Sequence, residues 1–200
     1  EQYTRLFPAM VRNWREQWNQ GDFPFYYVQI APFKYSEKDN SAYLREAQLK
    51  AMKIISNAGM AVTMDIGDSD CIHPAEKILV GKRLAYWALA KTYGIEALPC
   101  SGPVYKDMTI NKNKAILRFD YAENGLSDFG NELQGFVVAG EDRQFHPAKA
   151  KITNNNLEVK SEKVKNLVAV RYCWENYAVG TLFNTAGLPA SSFRTDDWEE

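Results

Sequence analysis

The sequence predicts an α/β protein whose first half is a parallel α/β unit and whose second half consists of antiparallel β-strands. In residues 1–98, helical and strand patterns alternate in the order helix, strand, helix, strand, helix, which is typical of parallel α/β architecture. After Pro99, short strand-like runs follow one another at intervals of about ten residues with no helix between them, a pattern typical of a β-sandwich. We therefore predict two domains, residues 1–98 and residues 99–200.

The boundaries of the predicted elements follow from apolar spacing and from helix-ending residues. Apolar residues at helical spacing indicate a first helix that ends near Gly21. The nearly unbroken apolar run 23–31 indicates a buried parallel strand. Pro74 is expected in the first turn of the third helix, with Ile78 and Trp87 on its buried side. The full prediction is helices at 6–21, 41–55 and 74–93, and strands at 23–31, 60–64, 114–122, 135–140, 148–153, 157–161 and 167–174.

The predicted first domain has too few strands. It contains only two convincing parallel strands, whereas a typical sheet has about four to six. Two strands offer too little surface to bury three helices. We therefore expect a missing N-terminal segment of the same protein, or a partner chain, to complete the sheet.

The composition excludes several classes of function. A net charge of -1 argues against nucleic acid or an anionic membrane as the main partner. No apolar run approaches the roughly 18 residues of a membrane span. The sequence contains no Gly-rich phosphate loop and no dinucleotide fingerprint, so no cofactor is predicted. The 3 Cys residues are an odd number and indicate no disulfide framework.

The polar loop 64–74 is the candidate functional site. It joins the second predicted strand to the third predicted helix, a position where open α/β sheets place their sites. His73 is the candidate general base, because a carboxylate bonded to one ring nitrogen leaves the other nitrogen free to take a proton. Asp68 and Asp70 are the candidates for the carboxylate that orients it.

A Ser nucleophile and a metal site are two other kinds of chemistry that this loop could offer. The run Gly67-Asp68-Ser69 is similar to a nucleophile motif, but Ser69 and His73 lie within five residues and leave no chain to build an oxyanion hole. We therefore expect Ser69 to be a loop residue. A metal site formed with Cys71 and the acids lacks a recognised ligand spacing, so no metal is predicted.

A resemblance to a known family extends over nearly the whole chain. It is carried in the first half by residues 3–15, 21–29, 44–48, 59–68, 72–74 and 81–85, and in the second half by residues 101–105, 135–136, 139–141, 170–172, 187–191 and 193–196. These segments resemble the sialate O-acetylesterases, a branch of the SGNH hydrolases. The resemblance implies part of a three-layer α/β/α SGNH (flavodoxin-like) domain followed by a β-sandwich region.

The resemblance also implies an activity and assigns roles. The expected reaction removes O-acetyl groups from sialic acid or related glycans by Ser-His-Asp acyl transfer, with His73 as the base. Asp70 fits the superfamily's Asp-x-x-His spacing, and Asp68 fits the family's own pattern, so both remain candidates. Arg45 and Gln29 are candidate substrate-binding residues, although at their positions such side chains are more often structural.

The family's nucleophile motif precedes the segment that begins here at Tyr3. The chain is therefore expected to be a C-terminal portion that carries the His/Asp part of the site and lacks the nucleophile Ser segment. The family's usual secretion implies a secreted or periplasmic location. The alternative is a non-catalytic module, either a glycan-binding domain that uses the aromatic-rich second half or a structural accessory domain.

Overall fold

The computed structural model describes residues 2–36 and 38–198. Its helices are α1 (Gln2–Trp18), α2 (Ala42–Ile54) and α3 (Lys77–Trp87), and α3 continues into a π-helical turn (Ala88–Thr92). Its strands are β1 (Phe25–Val28), β2 (Ala58–Ala61), β3 (Val104–Asn111), β4 (Lys114–Asp120), β5 (Leu126–Ser127), β6 (Phe136–Ala139), β7 (His146–Pro147), β8 (Lys149–Thr153), β9 (Asn156–Lys160), β10 (Ala169–Tyr172), β11 (Phe183–Asn184) and β12 (Phe193–Arg194).

The predicted parallel strand pair is confirmed. β1 and β2 pair in parallel, from Phe25 opposite Ala58 to Val28 opposite Ala61. The pairing ends earlier than the predicted strand 60–64, because the hydroxyl of Thr63 donates to the carbonyl oxygen of Gln29 at 2.9 Å, where the ladder would require a backbone N–H.

Helices cover both faces of this strand pair. Successive side chains of β1 point to opposite faces, so Tyr26 and Tyr27 contact different helices. The Tyr27 ring lies 4.9 Å from the ring of Phe7 in α1, and the Tyr26 ring stacks 6.3 Å from Trp87 in α3. Gly59 is required opposite Trp87, because a Cβ atom at position 59 would lie 2.3 Å from the indole. The α/β class is therefore confirmed at the level of a mixed α/β fold, and the SGNH layering stays a prediction.

The third helix differs from its prediction. It begins at Lys77, so Pro74 lies before the helix and not in its first turn. Ile78 was expected to be buried and is instead 74% exposed. The buried residues of α3 are Arg83 and Trp87. Arg83 turns inward because it donates to the carbonyl oxygen of Val62 and to the carboxylate of Asp65.

The second half consists of antiparallel strands, as predicted. One four-stranded sheet has the order β12-β10-β6-β7, a second has the order β3-β4-β9-β8, and β5 pairs with β11. β3 was not predicted from the sequence, although it is paired along almost its whole length with β4. The packing of the two sheets as a β-sandwich stays a prediction.

The two halves share one hydrophobic core. Buried residues of the α/β part, such as Met60 and Met64, belong to the same apolar cluster as Leu117, Val138 and Tyr172 of the second half. The domain boundary near residue 99 is not tested by this arrangement and stays a prediction.

A partly buried ion pair also joins the halves. Glu46 in α2 accepts hydrogen bonds from Arg194 in β12 at 3.0 and 3.1 Å, and Lys50 lies 2.9 Å from the same carboxylate. Burial raises the pKa of Glu46, but the two cations outweigh this effect and hold the pKa below its ordinary value of 4.5. The ionised carboxylate is thus the form that stabilises the contact.

Candidate functional site

The loop 62–76 follows β2 at the carboxyl edge of the strand pair, as predicted. The loop 29–41 follows β1 and leaves the pair at the same edge, since the two strands are parallel. The two loops touch, because a Cβ atom on Gly67 would lie 2.5 Å from the carbonyl oxygen of Pro32. Ligand sites of open α/β sheets lie beyond this edge.

The base of the loop is held by a buried ion pair. Arg83 donates two hydrogen bonds to the carboxylate of Asp65, at 2.8 and 2.6 Å, and a third at 2.8 Å to the carbonyl oxygen of Val62. The two side chains are only 7% and 15% exposed. Asp65 thus fixes the strand end from which the candidate site begins.

Each of the candidate orienting acids is engaged within the loop. Oδ1 of Asp68 accepts the backbone N–H groups of Asp70 at 2.8 Å and Cys71 at 3.2 Å, which forms an Asx-type turn. Oδ2 of Asp70 accepts the hydroxyl of Ser69 at 2.9 Å. The hydroxyl of Ser69 therefore points to an acid and not to His73.

His73 is exposed at the surface. Within residues 2–36 and 38–198, no hydrogen bond or ion pair engages its imidazole ring, while its backbone carbonyl lies 3.4 Å from the sulfur of Cys71. The structure places His73, Asp68 and Asp70 in one exposed loop and does not bring either acid into a hydrogen bond with the ring. Their roles as base and orienting acid stay predictions.

The two candidate substrate-binding residues lie in the interior. Arg45 is completely buried and donates to the hydroxyls of Ser192 and Ser41, both at 2.9 Å, and to the carbonyl oxygen of Cys173 at 3.2 Å. Burial lowers the pKa of Arg45 to about 10. A side chain so enclosed favours the structural interpretation of Arg45.

Gln29 is 1% exposed, and its amide nitrogen donates to the carbonyl oxygen of Arg45 at 3.1 Å and to the hydroxyl of Ser191 at 2.8 Å. The side-chain oxygen of Gln29 is buried and has no hydrogen-bond partner in the described part of the chain. The two residues thus link α2 and β1 to the segment before β12. Their role in binding substrate is not tested by this geometry.

The described residues offer no preformed metal site and no membrane helix. No group of three or more His, Cys, Asp or Glu side chains in this part of the chain is arranged to hold a metal ion. No described helix is long and apolar enough to cross a bilayer. The 3 Cys side chains are free, with Cys71 exposed and Cys100 and Cys173 buried.

A concave site lies at the same edge and was missed by sequence reasoning. Its volume is about 510 Å³, and it lies where the start of α2 meets the turn after β10. It is lined by Lys38, Asp39, Asn40, Tyr43, Trp174, Glu175 and Asn176. The aromatic content pointed to rings that could stack on sugars, but residues more than 130 positions apart along the chain cannot be grouped by spacing.

Comparison with known proteins addresses the resemblance directly. No protein-family profile matches the chain. The sialate O-acetylesterases of Pongo abelii and Homo sapiens are each 27% identical over 218 aligned positions, which cover 96% of this chain. The crystal structure of a carbohydrate acetylesterase from Xanthomonas citri superimposes with a TM-score of 0.90 at 40% identity over 98% of this chain. The resemblance to the sialate O-acetylesterases is confirmed.

The chain spans less than half the length of these relatives. It covers 42% of each of the two sialate O-acetylesterases and 46% of the bacterial carbohydrate acetylesterase. The activity of a whole sialate O-acetylesterase can therefore be assigned to this chain only as a proposal.

Proposed function

We propose that this chain contributes the base side of an acetylesterase that removes O-acetyl groups from sialic acid or a related glycan. The observation that carries the proposal is the placement of His73 in an exposed loop at the carboxyl edge of β1 and β2, in a chain whose fold matches a carbohydrate acetylesterase. The imidazole lacks a partner among the described residues, so its ring nitrogens are open to an incoming hydroxyl and to an acid.

The proposed mechanism is acyl transfer through a Ser that lies outside residues 1–200. His73 takes the proton of the Ser hydroxyl as it attacks the acetyl carbonyl, and returns the proton to the departing sugar oxygen, which leaves an acetyl-Ser ester. Water then attacks this ester with His73 again as the base, releasing acetate and restoring the Ser hydroxyl. Asp68 and Asp70 are the candidates to orient the ring, since each keeps one carboxylate oxygen that forms no hydrogen bond with a described residue.

Ser69 fits the nucleophile role poorly. Its hydroxyl donates to Asp70, and His73 is not its partner. A Ser nucleophile needs its base within about 3 Å and separate donors for the developing oxyanion. The strand pair supports an external source of the nucleophile, because the described strands form only a two-stranded parallel sheet where the relatives are more than twice as long.

A location outside the cytoplasm is also part of the proposal. It rests on the resemblance to the sialate O-acetylesterases alone.

The decisive experiment uses a longer polypeptide that includes both the nucleophile segment and residues 1–200. His73→Ala is expected to lower kcat on an acetylated glycan by about 10²- to 10⁴-fold, the usual contribution of a general base. His146→Ala is the matched control, because the second His lies on β7 and is expected to leave kcat unchanged. A His73→Ala enzyme with nearly normal kcat contradicts the proposal. Asp68→Asn and Asp70→Asn, measured in the same assay, identify the orienting acid by the larger decrease.

The 200-residue chain provides a second test. We expect no Ser-dependent hydrolysis of p-nitrophenyl acetate above the buffer rate. Turnover that disappears in Ser69→Ala would show that the nucleophile lies within this loop, and would refute the external Ser.

A further inference from the structure

The cavity beside Tyr43 and Trp174 has the size and lining of a small-ligand site. Its volume of about 510 Å³ lies within the range of about 300–1,000 Å³ that is typical of ligand pockets. Two aromatic side chains form one wall, and charged and amide side chains form the rim. This combination offers flat apolar surface together with hydrogen-bonding groups.

The aromatic wall is fixed in place by cations behind it. The rings of Tyr43 and Trp174 meet at 79° with their centroids 5.3 Å apart, which makes a corner. The guanidinium of Arg194 lies 5.1 Å from the centroid of the Tyr43 ring and 5.0 Å from that of the Trp174 ring. The guanidinium of Arg171, a residue of β10, lies 5.8 Å from the Trp174 ring centroid. Arg194 is itself held by Glu46, so the two rings pack against an anchored guanidinium.

The rim is also preorganised. The amide of Asn176 donates to the carbonyl oxygens of Ser36 at 3.2 Å and Asp39 at 2.6 Å, and its oxygen accepts the backbone N–H of Ser41 at 2.7 Å. These bonds hold the loop after β1 against the turn after β10. Binding a ligand here therefore requires little ordering of the loop, which lowers the entropic cost.

Several rim groups remain available to a ligand. The Glu175 carboxylate, the Lys38 ammonium and the amide nitrogen of Asn40 have no hydrogen-bond or ion-pair partner among the described residues. Both Lys38 and Glu175 are exposed. The rim thus presents donors and acceptors around an aromatic corner, which suits a ring that has an apolar C–H face and hydroxyls at its edge.

The charges of the rim indicate which sugar fits. Asp39 and Glu175 contribute two negative charges, and Lys38 contributes one positive charge. The side chains of the lining carry a net charge of -1, and the cations next to the rings, Arg194 and Arg171, are already paired with carboxylates. An anionic sugar carboxylate would therefore be repelled more than it is attracted. An uncharged pyranose avoids this cost and can donate its hydroxyls to the two carboxylates.

We propose that this cavity is a subsite for an uncharged pyranose ring of the glycan, with Trp174 and Tyr43 stacking on the ring and Glu175, Asp39 and Asn40 binding its hydroxyls. The proposal rests on the proposed function for its ligand class, because the ligand would be a sugar unit that neighbours the acetylated one in a glycan. The cavity is placed for this role, since residues 38–43 lie at the carboxyl edge shared with the His73 loop.

The test uses the 200-residue chain and a binding readout. Cellotriose is titrated as the neutral probe and the α-methyl glycoside of N-acetylneuraminic acid as the anionic probe, while the indole N–H resonances of the 5 Trp residues are followed by NMR. Trp174→Phe assigns the Trp174 resonance. We expect this resonance to shift saturably with cellotriose, and the anionic sugar to bind at least about tenfold more weakly, as one unfavourable charge contact would require.

Two matched variants separate binding from folding. Tyr43→Ala is compared with Tyr93→Ala, which removes a tyrosine that is 74% exposed and does not line the cavity. Glu175→Ala removes an exposed carboxylate and keeps the backbone carbonyl of residue 175, which accepts a hydrogen bond from Arg45. We expect Tyr43→Ala and Glu175→Ala each to raise the Kd for cellotriose at least about fivefold, and Tyr93→Ala to leave it unchanged.

Three outcomes would overturn the proposal: no saturable shift of Trp174 with cellotriose, an unchanged Kd in Glu175→Ala, or equal binding of the anionic sugar. His73→Ala distinguishes this proposal from the proposed function, because it is expected to leave cellotriose binding intact. Normal esterase activity of the longer His73→Ala protein, together with Trp174-dependent binding, would refute the base assignment and leave the subsite standing.

Discussion

The buried ion pair between Asp65 and Arg83 gives the sharpest prediction about stability. Asp65→Ala removes both carboxylate oxygens and leaves a guanidinium that is 7% exposed, with the Val62 carbonyl as its one remaining partner among residues 2–36 and 38–198. Breaking a buried pair in this way costs about 3–5 kcal/mol. Since 1 kcal/mol shifts the Tm of a chain of this size by about 2–4 °C, we expect a decrease of about 6–20 °C.

A double-mutant cycle measures the pair itself. Asp65→Ala, Arg83→Ala and the double variant are unfolded with urea, and we expect a coupling free energy of about 2–3 kcal/mol. The control cycle uses Asp107 and Arg118, which also approach to 2.6 Å but are 38% and 59% exposed. That exposed pair is expected to couple by less than about 1 kcal/mol. Equal coupling in the two cycles would refute the argument that burial makes the Asp65 pair strong.

Three further predictions concern packing, acid stability and thiol reactivity. Gly59→Ala places a Cβ atom 2.3 Å from the indole of Trp87 and should lower the unfolding free energy by about 1–3 kcal/mol. Gly81→Ala has open space within α3 and should raise it by about 0.5–1 kcal/mol. Urea denaturation compares the two variants, and a Gly59→Ala variant as stable as the parent chain would contradict the packing. The pKa of Glu46 lies below 4.5 in the folded chain, so its contribution to stability is complete above pH 4.5 and is lost as the pH falls through the folded pKa. Glu46→Gln should therefore flatten the pH dependence of the Tm below pH 4.5. An unchanged slope in this acid range would count against a stabilising role of the ionised Glu46. Under native conditions Cys71 should be the one thiol that reacts rapidly with a disulfide reagent, because Cys71 is exposed whereas Cys100 and Cys173 are buried. Burial also raises the pKa of Cys173 to about 12. Fast reaction of a second thiol would be inconsistent with the burial of Cys100 and Cys173.

Apolar pattern predicted the elements whose stability comes from burial. The run 23–31 indicated β1 and its parallel pairing, and that prediction is confirmed. The start of α3 was placed at Pro74 from a local preference, but the helix begins at Lys77. The inward turn of Arg83 depends on Asp65, which lies 18 residues away, and no local pattern reveals such a partner.

β3 was missed for a related reason. Its sequence contains Lys106 and Asp107, which weaken the apolar alternation of a strand. In the folded chain these charges pair across the ladder with Asp120 at 3.0 Å and Arg118 at 2.6 Å on β4. Charged residues that interrupt the apolar pattern of β3 therefore form cross-strand ion pairs in the folded sheet.

The position of the candidate site could be predicted, and its internal contacts could not. A polar loop after a buried parallel strand pointed to the carboxyl edge, where His73 is found. The hydrogen bonds of Asp68 and Asp70 depend on the turn geometry of the loop, which the residue types alone do not determine. The cavity at Trp174 depends on contacts between the two halves of the chain, so only the folded structure shows it.

The buried guanidinium of Arg45 has a consequence for the order in which the chain can fold during synthesis. Its partner Ser192 lies 147 residues further along the chain, and at a translation rate of about 5–20 residues per second that segment emerges roughly 7–30 s after Arg45. Until then a cation that ends up fully enclosed has no complete set of acceptors and favours water. We therefore expect the early α/β segment to stay open and hydrated at α2 during synthesis, and to close there only after Ser192 has been made.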